Sequence, residues 1–154
     1  IYNNITLFND EISKTDVINS AKKIGVHDFI SSLPGGYDYN VKERGVSLSS
    51  GQRQLIAFLR AYISNPEILV LDEATSSIDS YSEEIIQEAT EKITKGKTSI
   101  IIAHRLATIR NAHRIIMMEK GRIVEEGTHK ELIKLNEGHY SKLYKLQFEE
   151  ELIN

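Results

Sequence analysis

The chain has 154 residues, of which 40% are hydrophobic and none is cysteine, and its formal net charge is -3. This length and composition fit one globular domain, while the lack of cysteine excludes disulfides, thiolate metal ligands and a cysteine nucleophile. The small net charge gives no broad electrostatic reason to bind nucleic acid, and no apolar stretch approaches the roughly 20 residues of a membrane-spanning helix.

Two short helices are predicted in the polar N-terminal part of the chain. Thr15 or Asp16 is expected to cap the first, and Gly25 to end it. The second, starting near His27, stops at Pro34-Gly35-Gly36, a sequence that favours a turn. The apolar face of the first helix consists of Val17, Ile18, Ala21 and Ile24.

A long helix, a strand, a helix and a second strand are predicted next. The long helix begins at Ser49, has Leu55, Ile56, Leu59 and Ile63 as its apolar stripe, and ends before Pro66, because the residue before a proline disfavours helix. The strands, 68–71 and 99–103, are continuously apolar, as expected of parallel strands covered on both faces. A capping box at 80–83 opens the helix between them. This order predicts the α/β class.

The C-terminal part has a different pattern. Residues 114–118 and 122–126, with Gly121 between them, are predicted to form a β-hairpin. A capping box at 128–131 then opens a further helix.

Ser49, Ser50, Gly51 and Gln52 form the first candidate site, at the start of the long helix. Ser49 and Gln52 have capping-box spacing, and Gly51 allows close approach to the backbone. The N–H groups and dipole of such a terminus favour an anion such as phosphate. An isolated capping box is more often only a helix start. The neighbouring motifs therefore decide between a phosphate site and an ordinary N-cap.

Polar residues also follow both apolar strands. Asp72 and Glu73 end the first strand and His104 follows the second, at the sheet edge where α/β proteins bind ligands. A carboxylate there suits Mg²⁺, and a neighbouring one can orient or deprotonate a water that attacks phosphate. Helix capping for the carboxylates and simple solvation for His104 are the alternatives.

Gly96-Lys97-Thr98 has the final letters of a P-loop, but the motif's first glycine would fall at Glu91. This segment also leaves a helix and enters a strand, which is the reverse of the P-loop order. The chain therefore contains no P-loop.

In their order and spacing, these motifs resemble the nucleotide-binding domain of ATP-binding cassette (ABC) transporters, most closely the exporter type. Residues 48–54 resemble the family signature and 68–73 resemble Walker B with its catalytic glutamate. Residues 76–79 resemble the D-loop, and His104 resembles the switch histidine. Val41 to Gly45 resembles the exporter segment that contacts the membrane domain.

The resemblance implies a fold and an activity. The fold would be a partial P-loop NTPase (RecA-like) core with a mainly parallel sheet, an α-helical signature subdomain at 1–65, and a remainder of the core at 66–154 that ends in a hairpin and helices. The activity would be ATP hydrolysis at a head-to-tail dimer of two such domains, coupled to transport on the cytoplasmic side of a membrane.

The resemblance also assigns roles to residues. Asp72 would bind Mg²⁺, and Glu73 and His104 would be catalytic. The partners would be a second nucleotide-binding domain and a transmembrane domain, the latter contacted through Val41 to Gly45. No binding of nucleic acid is expected. The residues that would contact ATP are Ser49, Ser50, Gly51, Gln52 and Asp79.

Two departures from the family pattern bear on function. Ser50 stands where the family usually has glycine, so its side chain could tighten or crowd the approach of phosphate. Walker A, the Q-loop and the adenine-stacking aromatic would precede Ile1, so we expect the chain to start inside a longer polypeptide and to be inactive alone. Two alternatives to the exporter function stay open: an ABC-type ATPase of chromosome maintenance or DNA repair, and a non-enzymatic interaction fragment.

Overall fold

The computed structural model describes residues 1–42, 47–72, 80–103 and 106–153. The chain divides into two compact units, Ile1–Ile102 and Ala103–Asn154. The predicted division after residue 65 falls inside the first unit and stays a prediction about the subdomains of a complete domain. No helix in the described ranges is long and apolar enough to cross a bilayer.

Helices dominate the first unit, with a two-stranded sheet near its end. A short 3-10 turn at Gly36–Asp38 follows the third helix. The helices are α1 (Tyr2–Thr6), α2 (Lys14–Ile24), α3 (His27–Ser32), α4 (Ser50–Ser64) and α5 (Ser80–Thr94), and the strands are β1 (Ile68–Asp72) and β2 (Thr98–Ile102).

The start of α2 differs from the prediction. Ser13, not Thr15 or Asp16, is the N-cap: its Oγ accepts a hydrogen bond from the Asp16 backbone N–H at 3.1 Å. The Asp16 carboxylate accepts in return from the Ser13 N–H at 3.2 Å. Asp16 is thus the third helical residue of a capping box, and the N-cap of such a box lies three positions before it, at Ser13. Gly25, with φ 88°, ends the helix as predicted.

The apolar stripes predicted for the helices meet in one core. Val17, Ala21 and Ile24 of α2 are fully buried. The α4 stripe follows the prediction, with Leu55, Ile56 and Leu59 buried and Ile63 half-buried against them. From α5, Ile86, Ala89 and Ile93 join the same cluster. Three amphipathic helices therefore stabilise the first unit by burying their faces against each other.

The two strands pair in parallel, which confirms the predicted strand, helix, strand unit. Ile68 lies opposite Thr98 at one end, and Asp72 lies opposite Ile102 at the other. Helix α5 connects the strands, as a parallel pair requires a long crossover. The carboxyl ends of both strands consequently lie at the same edge of the sheet.

The apolar runs suit strands that are covered on both faces, but the described residues cover only one face of the pair. Leu69 is buried among the helices, but Ile68 and Val70 are 64% and 62% exposed. On β2, Ile100 and Ile102 are 56% and 54% exposed. Because side chains alternate along a strand, these four residues form one apolar surface, the bare face, which no described element covers.

The second unit contains the predicted hairpin. The turn between its strands is formed by Lys120 and Gly121, whose φ angles are 49° and 76°. Positive φ at both central residues is the geometry of a two-residue hairpin turn and explains the glycine. The elements are α6 (Leu106–Ile109), β3 (Ile115–Glu119), β4 (Arg122–Gly127), α7 (His129–Leu132) and α8 (His139–Ile153).

Capping interactions organise the helices of this unit. Thr128 and Glu131 form the predicted capping box of α7, which is a single turn. The Glu125 carboxylate of β4 accepts hydrogen bonds from the backbone N–H groups of His139 and Tyr140, at 2.5 and 3.0 Å, at the start of α8. Partial desolvation raises the pKa of the Glu125 carboxyl. The two hydrogen bonds and the nearby positive charges together lower this pKa by more, so that the net shift is downward.

We expect the bare face to drive self-association of the 154-residue chain, since exposed apolar surfaces of this kind favour association in water. Val70→Thr combined with Ile100→Thr should weaken association at least about tenfold, because replacing two aliphatic side chains with threonine removes more than about 1.4 kcal/mol of apolar burial. Sedimentation velocity over a concentration series measures this. Leu146→Gln, at a residue that is 60% exposed on α8, is the matched control. A wild-type chain that stays monomeric throughout would contradict the expectation.

Candidate functional site

The candidate phosphate site lies where α4 begins; residues 48–53 are called the signature turn below. Ser49 is the N-cap, with extended backbone angles, and its Oγ accepts a hydrogen bond from the Gln52 N–H at 3.2 Å. The Gln52 side-chain oxygen accepts in return from the Ser49 N–H at 3.0 Å. The predicted capping box is thus confirmed, and it places Ser49, Ser50, Gly51 and Gln52 together on one turn.

These hydrogen bonds leave donors free on the turn. The Ser49 hydroxyl uses its oxygen as an acceptor, so its proton remains available. Gln52 uses its amide oxygen, so its NH₂ group remains available. The N–H groups of Ser50 and Gly51 belong to the first helical turn and have no intrahelical acceptor. Donors grouped in this way at a helix N-terminus suit an anion.

Burial separates the anchor of the turn from its contact surface. Leu48 is buried in the core of the first unit, and Gly51, which has no side chain, also has little exposed surface. Ser49 and Ser50 are exposed. The described residues therefore do not crowd the Ser50 side chain, and its predicted effect on an approaching phosphate stays a prediction.

One contact of the signature turn was not predicted. Arg53 Nη1 donates a hydrogen bond to the Leu48 carbonyl oxygen at 2.6 Å. An arginine four positions into a helix ordinarily extends into solvent, so periodicity and capping rules gave no signal for this contact.

Asp72 lies on a different element, as the last residue of β1. It is exposed, and the strand alternation puts it on the same face as Val70. A lone exposed carboxylate fits Mg²⁺, which usually takes one or two protein carboxylates and fills its other positions with phosphate oxygens and water. Within the described ranges, no three side chains of His, Asp or Glu gather into an all-protein metal site.

Several predicted site residues lie outside the described residues. These are Glu73, Asp79 and His104, and most of the segment predicted to contact a membrane domain. Of that segment, Val41 is half-buried and Lys42 has φ 55°. The roles given to these residues stay predictions.

A cavity of about 610 Å³ lies away from the predicted site residues. Its lining includes Asn65 and Lys97, which precede β1 and β2, so it adjoins the opposite sheet edge from Asp72. The walls carry Lys92, Lys95 and Lys97 but also Glu11 and Asp16. This mixture of charges selects no one class of ligand.

Comparison with known proteins identifies the family. A sequence profile for ABC transporters matches residues 2–76. Over 147 residues, the chain is 56% identical to the alpha-hemolysin translocation ATP-binding protein HlyB of Escherichia coli, covering 96% of this chain and 21% of that protein. This chain belongs to the ABC transporter family.

Two further comparisons support the same family for this ABC transporter chain. It is 50% identical to the ATP-dependent lipid A-core flippase of Legionella pneumophila, covering 94% of this chain and 26% of that protein. The solved structure of a bacterial Atm1-family ABC exporter with ATP bound matches with a TM-score of 0.79 and 38% identity, over 94% of this chain and 25% of that one.

These comparisons confirm the predicted family, the exporter type and the partial P-loop NTPase fold. The chain spans between 21% and 26% of the length of the relatives it matches. It is therefore similar to one part of an ABC exporter, the ATP-binding part.

Removing the cap hydroxyl with Ser49→Ala should lower the free energy of unfolding by about 1 kcal/mol, because the Gln52 N–H loses its acceptor. Ser50→Ala is the matched control and should change it by less than about 0.5 kcal/mol, since Ser50 is exposed. Urea denaturation followed by circular dichroism measures both. Equal effects of the two variants would show that the capping box does not stabilise the turn.

Proposed function

We propose that this chain is the C-terminal part of the ATP-hydrolysing domain of an ABC exporter, and that the complete domain couples ATP binding and hydrolysis to transport across a membrane. The observation that carries the proposal is the match of 94% of the chain to an ABC exporter with ATP bound. The donors of the signature turn support it independently, because they suit the negative charge of a nucleotide phosphate.

In this proposal, the signature turn binds the ATP held by a second, identical domain. The Ser49 hydroxyl and the Gln52 NH₂ group donate to phosphate oxygens, together with the backbone N–H groups of Ser50 and Gly51. The dipole of α4 adds partial positive charge at the same point. Asp79 contributes a polar contact at the interface with the second domain.

The edge of the sheet serves the other nucleotide, bound by the chain's own domain. Asp72 holds Mg²⁺ there, directly or through water. When bound, the metal supplies positive charge that offsets the charge of the phosphates. Glu73 orients the attacking water and accepts its proton, and His104 donates a hydrogen bond to the terminal phosphate. Each chain would thus contribute to two sites of a head-to-tail dimer.

The phosphate cradle of each site comes from residues outside this chain. Gly96-Lys97-Thr98 does not supply it, because this segment connects the end of α5 to β2, with Gly96 at φ 74° in the turn. A helix C-terminus, rather than an N-terminus, lies at this point, and its partial charge is unfavourable for phosphate. The cradle is proposed to lie in the rest of the complete domain.

The remaining partners follow from the same proposal. The bare face would pack against further elements of the complete core, since it has the aliphatic composition of a doubly covered parallel sheet. Val41 to Gly45 would contact a transmembrane domain. The domain would then lie at the cytoplasmic side of the membrane, and closing and opening of the dimer would move the attached membrane domains.

Glu73→Gln in the full-length transporter should abolish ATP hydrolysis and leave ATP binding intact, because the amide can no longer accept the proton of the attacking water. Phosphate release and equilibrium binding of ATP measure the two effects. Glu91→Gln, the same change at an exposed carboxylate of α5, is the control and should retain hydrolysis. Normal turnover by the Glu73 variant would remove its proposed role.

The 154-residue chain alone should release no phosphate from ATP, because it contains no P-loop. A coupled assay on the purified chain, with the full-length transporter as positive control, measures this. Turnover at about 1 s⁻¹ or faster, an ordinary enzyme rate, would contradict the assignment of the cradle to residues outside the chain.

A further inference from the structure

Arg53 binds back onto the start of its own helix. It is the fourth helical residue of α4, and its Nη1 donates to the carbonyl oxygen of Leu48, the residue before the N-cap, at 2.6 Å. In many helices an apolar residue at this fourth position packs against the residue before the cap. Here a hydrogen bond from a guanidinium connects the same two positions.

This bond and the capping box act on the same peptide group. The Leu48 carbonyl accepts from Arg53, and the Ser49 N–H of that peptide unit donates to Gln52 Oε1 at 3.0 Å. Because a peptide group is planar, holding its oxygen and its nitrogen, together with the Cα of the buried Leu48, fixes the orientation of the whole plane. The plane in turn sets where the Cα of Ser49 lies, and the bond from the Gln52 N–H to Ser49 Oγ then orients the hydroxyl.

Within the described part of the chain, the Arg53 side chain bonds only to Leu48. It makes no ion pair with a described carboxylate, and its bond to Leu48 is its one side-chain hydrogen bond there. The Leu48 side chain is buried in the core, so the carbonyl that Arg53 holds is attached to a rigid base. Arg53 therefore connects a rigid base to a turn whose outer residues are exposed.

We infer that Arg53 is a positioning residue for nucleotide binding: its bond to Leu48 fixes the Leu48–Ser49 peptide so that the donors of Ser49 and Gln52 face the phosphate. This inference rests on the proposed function. The donors are aligned before ATP arrives, so losing the bond lowers the affinity of a preorganised site. The contact is the same in the bound ground state and during reaction, so its loss raises KM and leaves kcat nearly unchanged.

The test uses the full-length transporter with Arg53→Met, which removes the donor and keeps an unbranched apolar stem. The matched control is Arg60→Met: Arg60 also lies on α4, and its Nε donates to the Asn4 backbone carbonyl at 3.0 Å, away from the turn. We expect KM for ATP to rise about three- to tenfold in the Arg53 variant, the effect of one hydrogen bond, with kcat within about twofold. The Arg60 variant should change neither constant by more than about twofold.

Hydrogen exchange gives a readout that does not depend on ATP hydrolysis. In Arg53→Met, the Ser49 N–H should exchange faster than in the wild type, while amides in the middle of α4 keep their wild-type rates. An unchanged Ser49 rate would overturn the inference, and so would an unchanged KM or an equal rise in KM in the Arg60 variant.

The two proposals fail in different ways. If the wild-type transporter does not hydrolyse ATP, the proposed function is wrong. If the wild type is active and Glu73→Gln is inactive, but Arg53→Met has a normal KM, only the positioning role of Arg53 is wrong.

Discussion

The parallel pairing of β1 with β2 is the constraint on which the first unit depends. Two parallel strands require a connection that returns the chain to the starting edge, and α5 provides it. The same pairing brings the carboxyl ends of both strands to one edge, with Asp72 opposite Ile102. The direction of the strands alone therefore places the Asp72 carboxylate at this edge, and no special loop is needed.

The signature turn shows how local hydrogen bonding prepares a surface for a ligand of one charge. A capping box ordinarily serves the helix, because it satisfies two backbone N–H groups that would otherwise lack acceptors. In doing so, Ser49 and Gln52 accept hydrogen bonds, and these two bonds do not use the hydroxyl proton or the amide NH₂ group. The interaction that stabilises the helix start therefore also leaves donors that favour an anionic ligand.

Much of this architecture could be predicted from short-range rules. The stripe of Leu55, Ile56 and Leu59, the cap at Ser49 and the turn at Lys120-Gly121 each depend on residues a few positions apart, so periodicity and backbone preference suffice. The start of α2 was misplaced because several adjacent polar residues can cap a helix, and only the reciprocal bond to Asp16 identifies Ser13.

Features that depend on neighbours distant in sequence could not be predicted. An aliphatic run such as 68–71 indicates a strand suited to cover on both faces, but whether a second layer is present depends on other segments. The Arg53 contact depends on how a flexible side chain folds back. The resemblance implied helices after the hairpin, but local rules could not place the start of α8, because Glu125 from another element satisfies it without a local capping box.

That carboxylate has a thermodynamic consequence for the second unit. Glu125 belongs to the hairpin, yet it satisfies the first N–H groups of α8, so the strand and the helix share one ionisable group. Because its pKa is lower in the folded chain than in the unfolded chain, its stabilising effect is complete above the unfolded pKa and declines as the pH falls through the folded one. Protonation would weaken the hairpin and the helix together, so that acid loosens them as one cooperative unit.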